Sequence, residues 1–169
     1  MTPIVILDTG GTINGILGEK DTPPEQSLVI EHLRKNAERY QVRLADSRQI
    51  VMKDSRALTV GDRDALVAAI KACPNHRILI PHGTFTMAET GEYLEARLGE
   101  ELTQRCIVLV GARKPLSDPH TDALSRIDFA LASLKKGSPG VWIAMADTLW
   151  SPATVRKDPN SGEFVARDA

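Results

Sequence analysis

The 169-residue sequence lacks most of what would tie a chain to a membrane, a nucleic acid or an oxidising compartment. It has two cysteines, Cys73 and Cys106, far apart and in no ligand or redox spacing. Both read as reduced thiols, which fits a cytoplasmic protein. No segment is apolar for long enough to span a bilayer. The apolar run near Met1 is short and has no basic lead, so it reads as a first strand and not as a signal peptide. The formal charge is −1 and the basic residues are scattered, which leaves no electrostatic case for nucleic acid or an acidic membrane surface. The four histidines, at positions 32, 76, 82 and 120, form no metal spacing. No internal repeat is visible, and no Gly-x-Gly-x-x-Gly follows the first strand, so neither a metal nor a cofactor is expected.

What is there begins at Ile4–Ile13, where Ile4, Val5, Ile6 and Leu7 run into Asp8-Thr9-Gly10-Gly11-Thr12. Aliphatic residues without polar alternation suit a strand covered on both faces. Two adjacent glycines allow a sharp turn that gathers several N–H groups at one spot. The pattern recurs: Ile78-Leu79-Ile80 empties into His82-Gly83-Thr84-Phe85-Thr86, and Cys106–Val110 into Gly111-Ala112.

Between these lie helical stretches. Residues 24–39 carry a stripe of Leu28, His32 or Leu33, and Ala37. Thr59 with Asp62 three positions on can cap a helix bearing Leu66, Ala69 and Ile70. Residues 86–98 read as a helix, and 121–135 present Leu124, Ile127, Leu131 and Leu134 on one face. Residues 41–52 and 140–145 read as further strands, and Thr154-Val155 and Phe164-Val165 as two short strand-like pieces. Residues 16–27, with Gly18, Pro23 and Pro24, read as a loop, either a lid or a plain connector. Apolar strands alternating with amphipathic helices predict an α/β fold. We expect a three-layer parallel sheet of Rossmann or flavodoxin type, helices on both faces, in a single domain over 1–169. Such sheets bind ligands at the carboxyl ends of their strands. That rule gathers Asp8–Thr12, Asp54-Ser55, His82–Thr86 and Gly111-Ala112 into one candidate crevice.

The crevice would hold two threonine hydroxyls, Thr12 and Thr84, in glycine turns. Gly11 and Gly83 permit close backbone approach, so neighbouring N–H groups could form an oxyanion hole. A threonine needs a base or a strong hydrogen bond to become a nucleophile. Ser55 can donate to a carboxylate, and Asp8 or Asp54 can accept from an ammonium or act as a base. The kit suits acyl transfer or amide hydrolysis. Plainer roles stand beside it: a helix cap for Thr84, a turn residue for Ser55, a structural hydrogen-bonder for His82.

Leu7-Asp8-Thr9-Gly10-Gly11-Thr12-Ile13 resembles the N-terminal signature of the bacterial-type L-asparaginase family, Thr-Gly-Gly-Thr-Ile. His82-Gly83-Thr84-Phe85-Thr86-Met87 is similar to that family's His-Gly-Thr-Asp-Thr-Met. Lys53-Asp54-Ser55 falls where the family places a substrate-binding serine, and Val110-Gly111-Ala112 with Pro115 resembles its Thr-Gly-Ala…Pro stretch. The ending, from Pro139-Gly140-Val141 through Val155-Arg156-Lys157, resembles the short members that consist of the N-terminal domain alone. The resemblance implies hydrolysis of asparagine to aspartate and ammonia. It makes Thr12 the acylating nucleophile, Thr84 the second active-site threonine and Ser55 the carboxylate binder. Gly11 and Thr84 N–H groups would form the oxyanion hole, and the Ala112 carbonyl would accept from the leaving amide. A small-molecule amide substrate, no nucleic acid or membrane partner, a homodimer and the cytoplasm follow from the same likeness.

Three departures stand out. Phe85 replaces the aspartate that holds the substrate ammonium and helps activate the threonine, and a phenyl ring can do neither. The 15–27 loop has no tyrosine where larger members keep one in a lid. The family's catalytic lysine has no clear match: Lys135 and Lys136 lie near its expected place, but Leu134 is nearer by counting from Gly140. An amidohydrolase of altered or weak specificity is therefore the first reading, and a catalytically inactive small-molecule binder the second. Asp-x-Gly-Gly-Thr also resembles the phosphate turn of actin-like ATPases, but that fold needs two domains, and 169 residues are too few.

Overall fold

The computed structural model describes residues 1–168. The chain runs β1 (Thr2–Gly10), α1 (Leu28–Lys35), α2 (Ala37–Tyr40), β2 (Val42–Lys53), α3 (Val60–Ala72), β3 (Arg77–Pro81) and α4 (Met87–Leu98). It continues through β4 (Cys106–Val110), α5 (Ala123–Lys136), β5 (Gly140–Met145), β6 (Thr148–Trp150), β7 (Val155–Lys157) and β8 (Phe164–Ala166). Six strands form one sheet in the order β2-β1-β3-β4-β5-β6. The first five are parallel, and β6 closes the edge antiparallel to β5. β7 and β8 pair as a separate antiparallel hairpin.

Alternation within the apolar strands explains the three layers. Ile4 and Ile6 of β1 join Val29, Ile30, Leu33, Ile127 and Leu131 of α1 and α5 in one core. Val5 and Leu7 join Leu66, Ile70, Met87 and Leu94 of α3 and α4 in the other. A strand covered on both sides has no polar face to alternate with. The expected α/β architecture is therefore present, with an antiparallel edge that the parallel reading did not include. The Thr59–Asp62 capping box opens α3, as read from the sequence.

The first helix is shorter than the stripe suggested. Ser27 caps α1, its hydroxyl accepting from the Ile30 N–H, so residues 24–27 lie outside the helix. Asn36 departs from helical geometry and separates α1 from α2. The buried face is Val29, Ile30 and Leu33, which keeps Leu33 of the expected stripe and leaves Leu28, His32 and Ala37 half-buried. β6 escaped notice because three residues carry no readable periodicity.

Strand order reverses on either side of β1, which puts a crevice at the carboxyl ends of β1 and β3. Backbone contact closes the floor of that crevice. Gly11 has φ 82°, and a Cβ there would lie 2.4 Å from the Gly83 nitrogen and 2.5 Å from its Cα. A Cβ on Gly83 would in turn lie 2.8 Å from the Ser55 hydroxyl. The Thr9 hydroxyl adds a bond to the Pro81 carbonyl at 2.7 Å. Replacement of Gly11 by alanine combines left-handed strain of about 1–2 kcal/mol with overpacking of about 1–3 kcal/mol. We expect Gly11→Ala to cost about 3 kcal/mol in urea unfolding. A loss too small to shift the midpoint would mean that the two turns can part without penalty.

Candidate active site

Thr12 sits in a 3-10 turn directly after β1, and Thr84 in the turn after β3. The two line the same cavity of about 280 Å³, together with Phe85, Ala112, Arg113 and Lys157. Sequence reading thus brought Thr12, Thr84, Phe85 and Ala112 to one place. It did not anticipate Lys157 or Arg113. Thr84 is not the cap of α4, a position held by Thr86.

Lys157 is the principal addition. It ends β7, and the hairpin carries it over the strand ends so that its Nζ donates to the Thr84 hydroxyl at 2.8 Å. Its Nζ also lies 3.8 Å from the Phe85 ring centroid. Burial draws Lys157 below the usual lysine range, and the Arg113 and Arg56 charges push the same way against Asp54. Lys135, at the end of α5, instead donates to the Tyr40 carbonyl at 3.0 Å. Arg113 ties the hairpin down, donating to Glu163 at 2.6 Å and to the Ser161 carbonyl at 2.8 Å.

The remaining expected residues shape the turns. The Gly11 N–H is already spent on the Lys53 carbonyl at 2.9 Å, so Gly11 sets the turn and is not available as an oxyanion donor. Among the described residues the Thr84 N–H has no acceptor. Ser55 is buried, its hydroxyl accepting from the Thr86 N–H at 3.2 Å. Asp54 is also buried, both its oxygens bound by Arg56, and that partner holds its carboxyl below the usual range. Gly83 supplies the close approach described above. Phe85 is 53% exposed, with the Arg56 guanidinium 4.1 Å and the Lys157 Nζ 3.8 Å from its ring centroid.

A directed chain of hydrogen bonds supports the Gly83–Thr86 turn. The Gly83 carbonyl can only accept, so His82 Nδ1–H donates to it at 2.6 Å. Nε2 is then the acceptor for the Thr90 hydroxyl at 2.8 Å, and Arg63 donates to that hydroxyl at 3.0 Å. Burial drives His82 down to about 4, so it stays neutral. It is the structural hydrogen-bonder expected of it.

Asp8 turns away from the cavity. It is 0% exposed and accepts from the Gly10 N–H at 2.8 Å, from Asn14 at 2.9 and 3.0 Å, and from the Ser27 hydroxyl. It therefore cannot stand in for the carboxylate missing at Phe85. It ties the glycine turn to the start of α1, joining both ends of the 15–27 loop.

The family model described as Asparaginase, N-terminal matches residues 3–163. Its fold is the doubly wound α/β class defined above, and the chain belongs to the asparaginase family. A curated L-asparaginase of Thermococcus kodakarensis is 32% identical over 80 residues, 47% of this chain and 24% of that protein. The crystal structure of a probable cytoplasmic L-asparaginase from Campylobacter jejuni superposes with TM-score 0.75 at 27% identity. That match covers 99% of this chain and 54% of the other. The thermostable L-asparaginase structure from Thermococcus kodakarensis superposes with TM-score 0.77 at 24% identity, over 98% of this chain and 51% of the other, a likeness of fold alone. The chain spans about half the length of these solved relatives. No helix among the described residues is long and apolar enough to cross a membrane.

The buried Asp8 makes a prediction about pH. Desolvation raises its carboxyl from 3.8 to about 6, against the opposing hydrogen bonds of Ser27, Gly10 and Asn14. Between those values the folded chain keeps a proton that the unfolded chain releases, so stability falls as pH rises through the window. Two pKa units correspond to about 3 kcal/mol. Measured against Asp8→Asn, the chain should lose stability of that order between about pH 4 and pH 7, by urea unfolding at each pH. A difference that stays constant with pH would rule out the shifted titration.

Proposed function

We propose that the cavity hydrolyses a primary carboxamide, releasing ammonia and a carboxylate by acyl transfer to a threonine. The observation that carries this reading is the 2.8 Å contact between Lys157 Nζ and the Thr84 hydroxyl on the cavity wall. A lysine held below its usual range can lose its proton and then accept from the hydroxyl. The Thr84 oxygen attacks the amide carbon while its proton passes to Lys157. The developing oxyanion has the Thr84 N–H at hand, and the Ala112 carbonyl can accept from the amide nitrogen. Collapse breaks the C–N bond, and Lys157 returns the proton to the leaving nitrogen, which departs as ammonia. Water then attacks the ester, gives a proton through Lys157 to Thr84, and frees the acid.

Thr12 faces the same cavity, and the family likeness gives it the acylating role. Contact with a base favours Thr84 for that step, with Thr12 orienting the amide. The relatives are named L-asparaginases, so asparagine to aspartate is the first reaction to test. A cytoplasmic homodimer is the state the resemblance implies. An inactive binding protein is the second reading, favoured by Phe85, which offers no carboxylate to the cavity.

In an ammonia-release assay we expect Thr84→Ala and Lys157→Met each to lose at least about 100-fold in kcat. The rate should rise with pH through an apparent pKa below the usual lysine range. Mass mapping of a trapped acyl-enzyme should find the adduct on Thr84, and an adduct on Thr12 would reverse the two roles. Binding of amides without ammonia release from any of them would select the inactive reading.

A further inference from the structure

The charge around the cavity points to a substrate that its relatives' names do not describe. The charged residues that line it are Arg113 and Lys157, and no carboxylate is among the lining groups. A neighbouring space of about 510 Å³ shares Phe85, Arg113, Lys157 and Gly162, and its other walls are Pro159, Asn160 and Ser161. It too has no acid. Of the carboxylates nearby, Asp54 and Glu163 are paired, and Glu19 acts on Arg56 from outside the lining. Asp54 accepts from Arg56 through both oxygens, at 3.0 and 2.8 Å. Glu163 accepts from Arg113 at 2.6 Å. Arg56 and Lys157 both pack against the Phe85 ring. An ammonium entering the cavity finds no carboxylate on its lining, whereas a carboxylate finds the Arg113 guanidinium there.

We propose that the site prefers an amide whose far end is a carboxylate with no ammonium beside it, an ω-amide of a short dicarboxylic acid such as succinamate, and that Arg113 receives that carboxylate. The inference rests on the amide-hydrolysis reading above and adds the substrate class to it. Arg113 suits the role because a guanidinium has five donors, of which the hairpin tether engages two groups. Lys157 is left free to serve Thr84. The depressed lysine is consistent with this crowding of positive charge, since Arg113 and Arg56 both contribute to its shift.

The test uses the full 169-residue chain with three amides: succinamate, L-asparagine and the neutral butyramide. The expected kcat/KM for succinamate exceeds those of the other two by at least tenfold. Asparagine as good as succinamate overturns the inference while leaving amide hydrolysis intact. No ammonia from any amide overturns the hydrolase reading, and the inference is then decided by calorimetry with the product dicarboxylates. Succinate should bind at least tenfold tighter than L-aspartate. Equal binding, or none, overturns it.

Two variants separate recognition from support. Arg113→Gln should raise KM for succinamate at least tenfold with a smaller change in kcat. That variant also loosens the hairpin, so Glu163→Gln is the control. If Arg113 only tethers, Glu163→Gln weakens succinate binding along with the tether. If Arg113 recognises the carboxylate, removing its competing acid leaves succinate binding equal or tighter. Phe85→Asp should shift preference from succinamate toward asparagine, and a variant that keeps the original preference counts against the electrostatic argument.

Discussion

The structure depends on how closely four strand ends can approach one another without long side chains between them. Gly11 meets the backbone of Gly83, Gly83 meets Ser55, and a Cβ at Gly111 would lie 2.7 Å from the His82 carbonyl. Each contact is backbone against backbone or against a short side chain, so no rotamer can relieve it. This approach sets the distance between the turn that holds Thr12 and the turn that holds Thr84. It also explains why the crevice lies at the switch between β1 and β3: there adjacent strands diverge in their connections and leave room above the glycines.

Turns brought this close bury polar groups, and those groups need partners. Two networks supply them. On the α1 side, Asp8 gathers the Gly10 N–H, Asn14 and Ser27. On the α3–α4 side, Arg63, Thr90 and His82 pass donors in one direction to the Gly83 carbonyl. Arg63 also donates to Thr86, whose hydroxyl donates to the Ser55 carbonyl at 2.9 Å. The networks differ in their electrostatic consequence. Neutral His82 sits in its network without a charge to solvate, while Asp8 retains a carboxylate that the interior resists ionising. Both support the turns that carry Thr12 and Thr84, and neither Asp8 nor His82 lines the cavity.

Much of this was legible because the strands are buried on both faces and the turns after them are glycine-rich. Ile4–Leu7, Ile78–Ile80 and Cys106–Val110 state their burial in composition alone, and His82-Gly83-Thr84 announces a close turn. Lys157 carried no such signal. It belongs to a three-residue strand, 73 positions from Thr84, and its meaning comes from a hairpin folding back over the sheet. Lys135 and Lys136 looked nearer in sequence, yet α5 ends far from the strand tips at which the cavity opens. The direction of the Gly11 N–H was equally hidden. A glycine pair predicts a tight turn, but which carbonyl receives each N–H depends on Lys53, brought alongside by β2. The exchange at Phe85 could be read in the sequence, but its two flanking cations could not.

Those cations change what the exchange means. An aspartate at position 85 would recognise an ammonium, but it would also sit beside Lys157. At a position this exposed, a carboxylate beside an ammonium stabilises the charged form by about 0.2–1 kcal/mol. That is less than one pKa unit in favour of a protonated lysine. The phenyl ring, 3.8 Å from the same nitrogen, attracts it through its quadrupole. At an exposed site that attraction amounts to about 0.5–1 kcal/mol, less than one unit. Phe85 is exposed, so the weaker figure applies, and burial, followed by repulsion from Arg113 and Arg56, is left to lower Lys157. The replacement therefore leaves position 85 without an acid to meet an ammonium, and leaves the charge of Lys157 to burial and the neighbouring arginines. Loss of the acid and a lysine that contacts Thr84 are physically compatible, and under the proposed reading they call for a substrate of different charge.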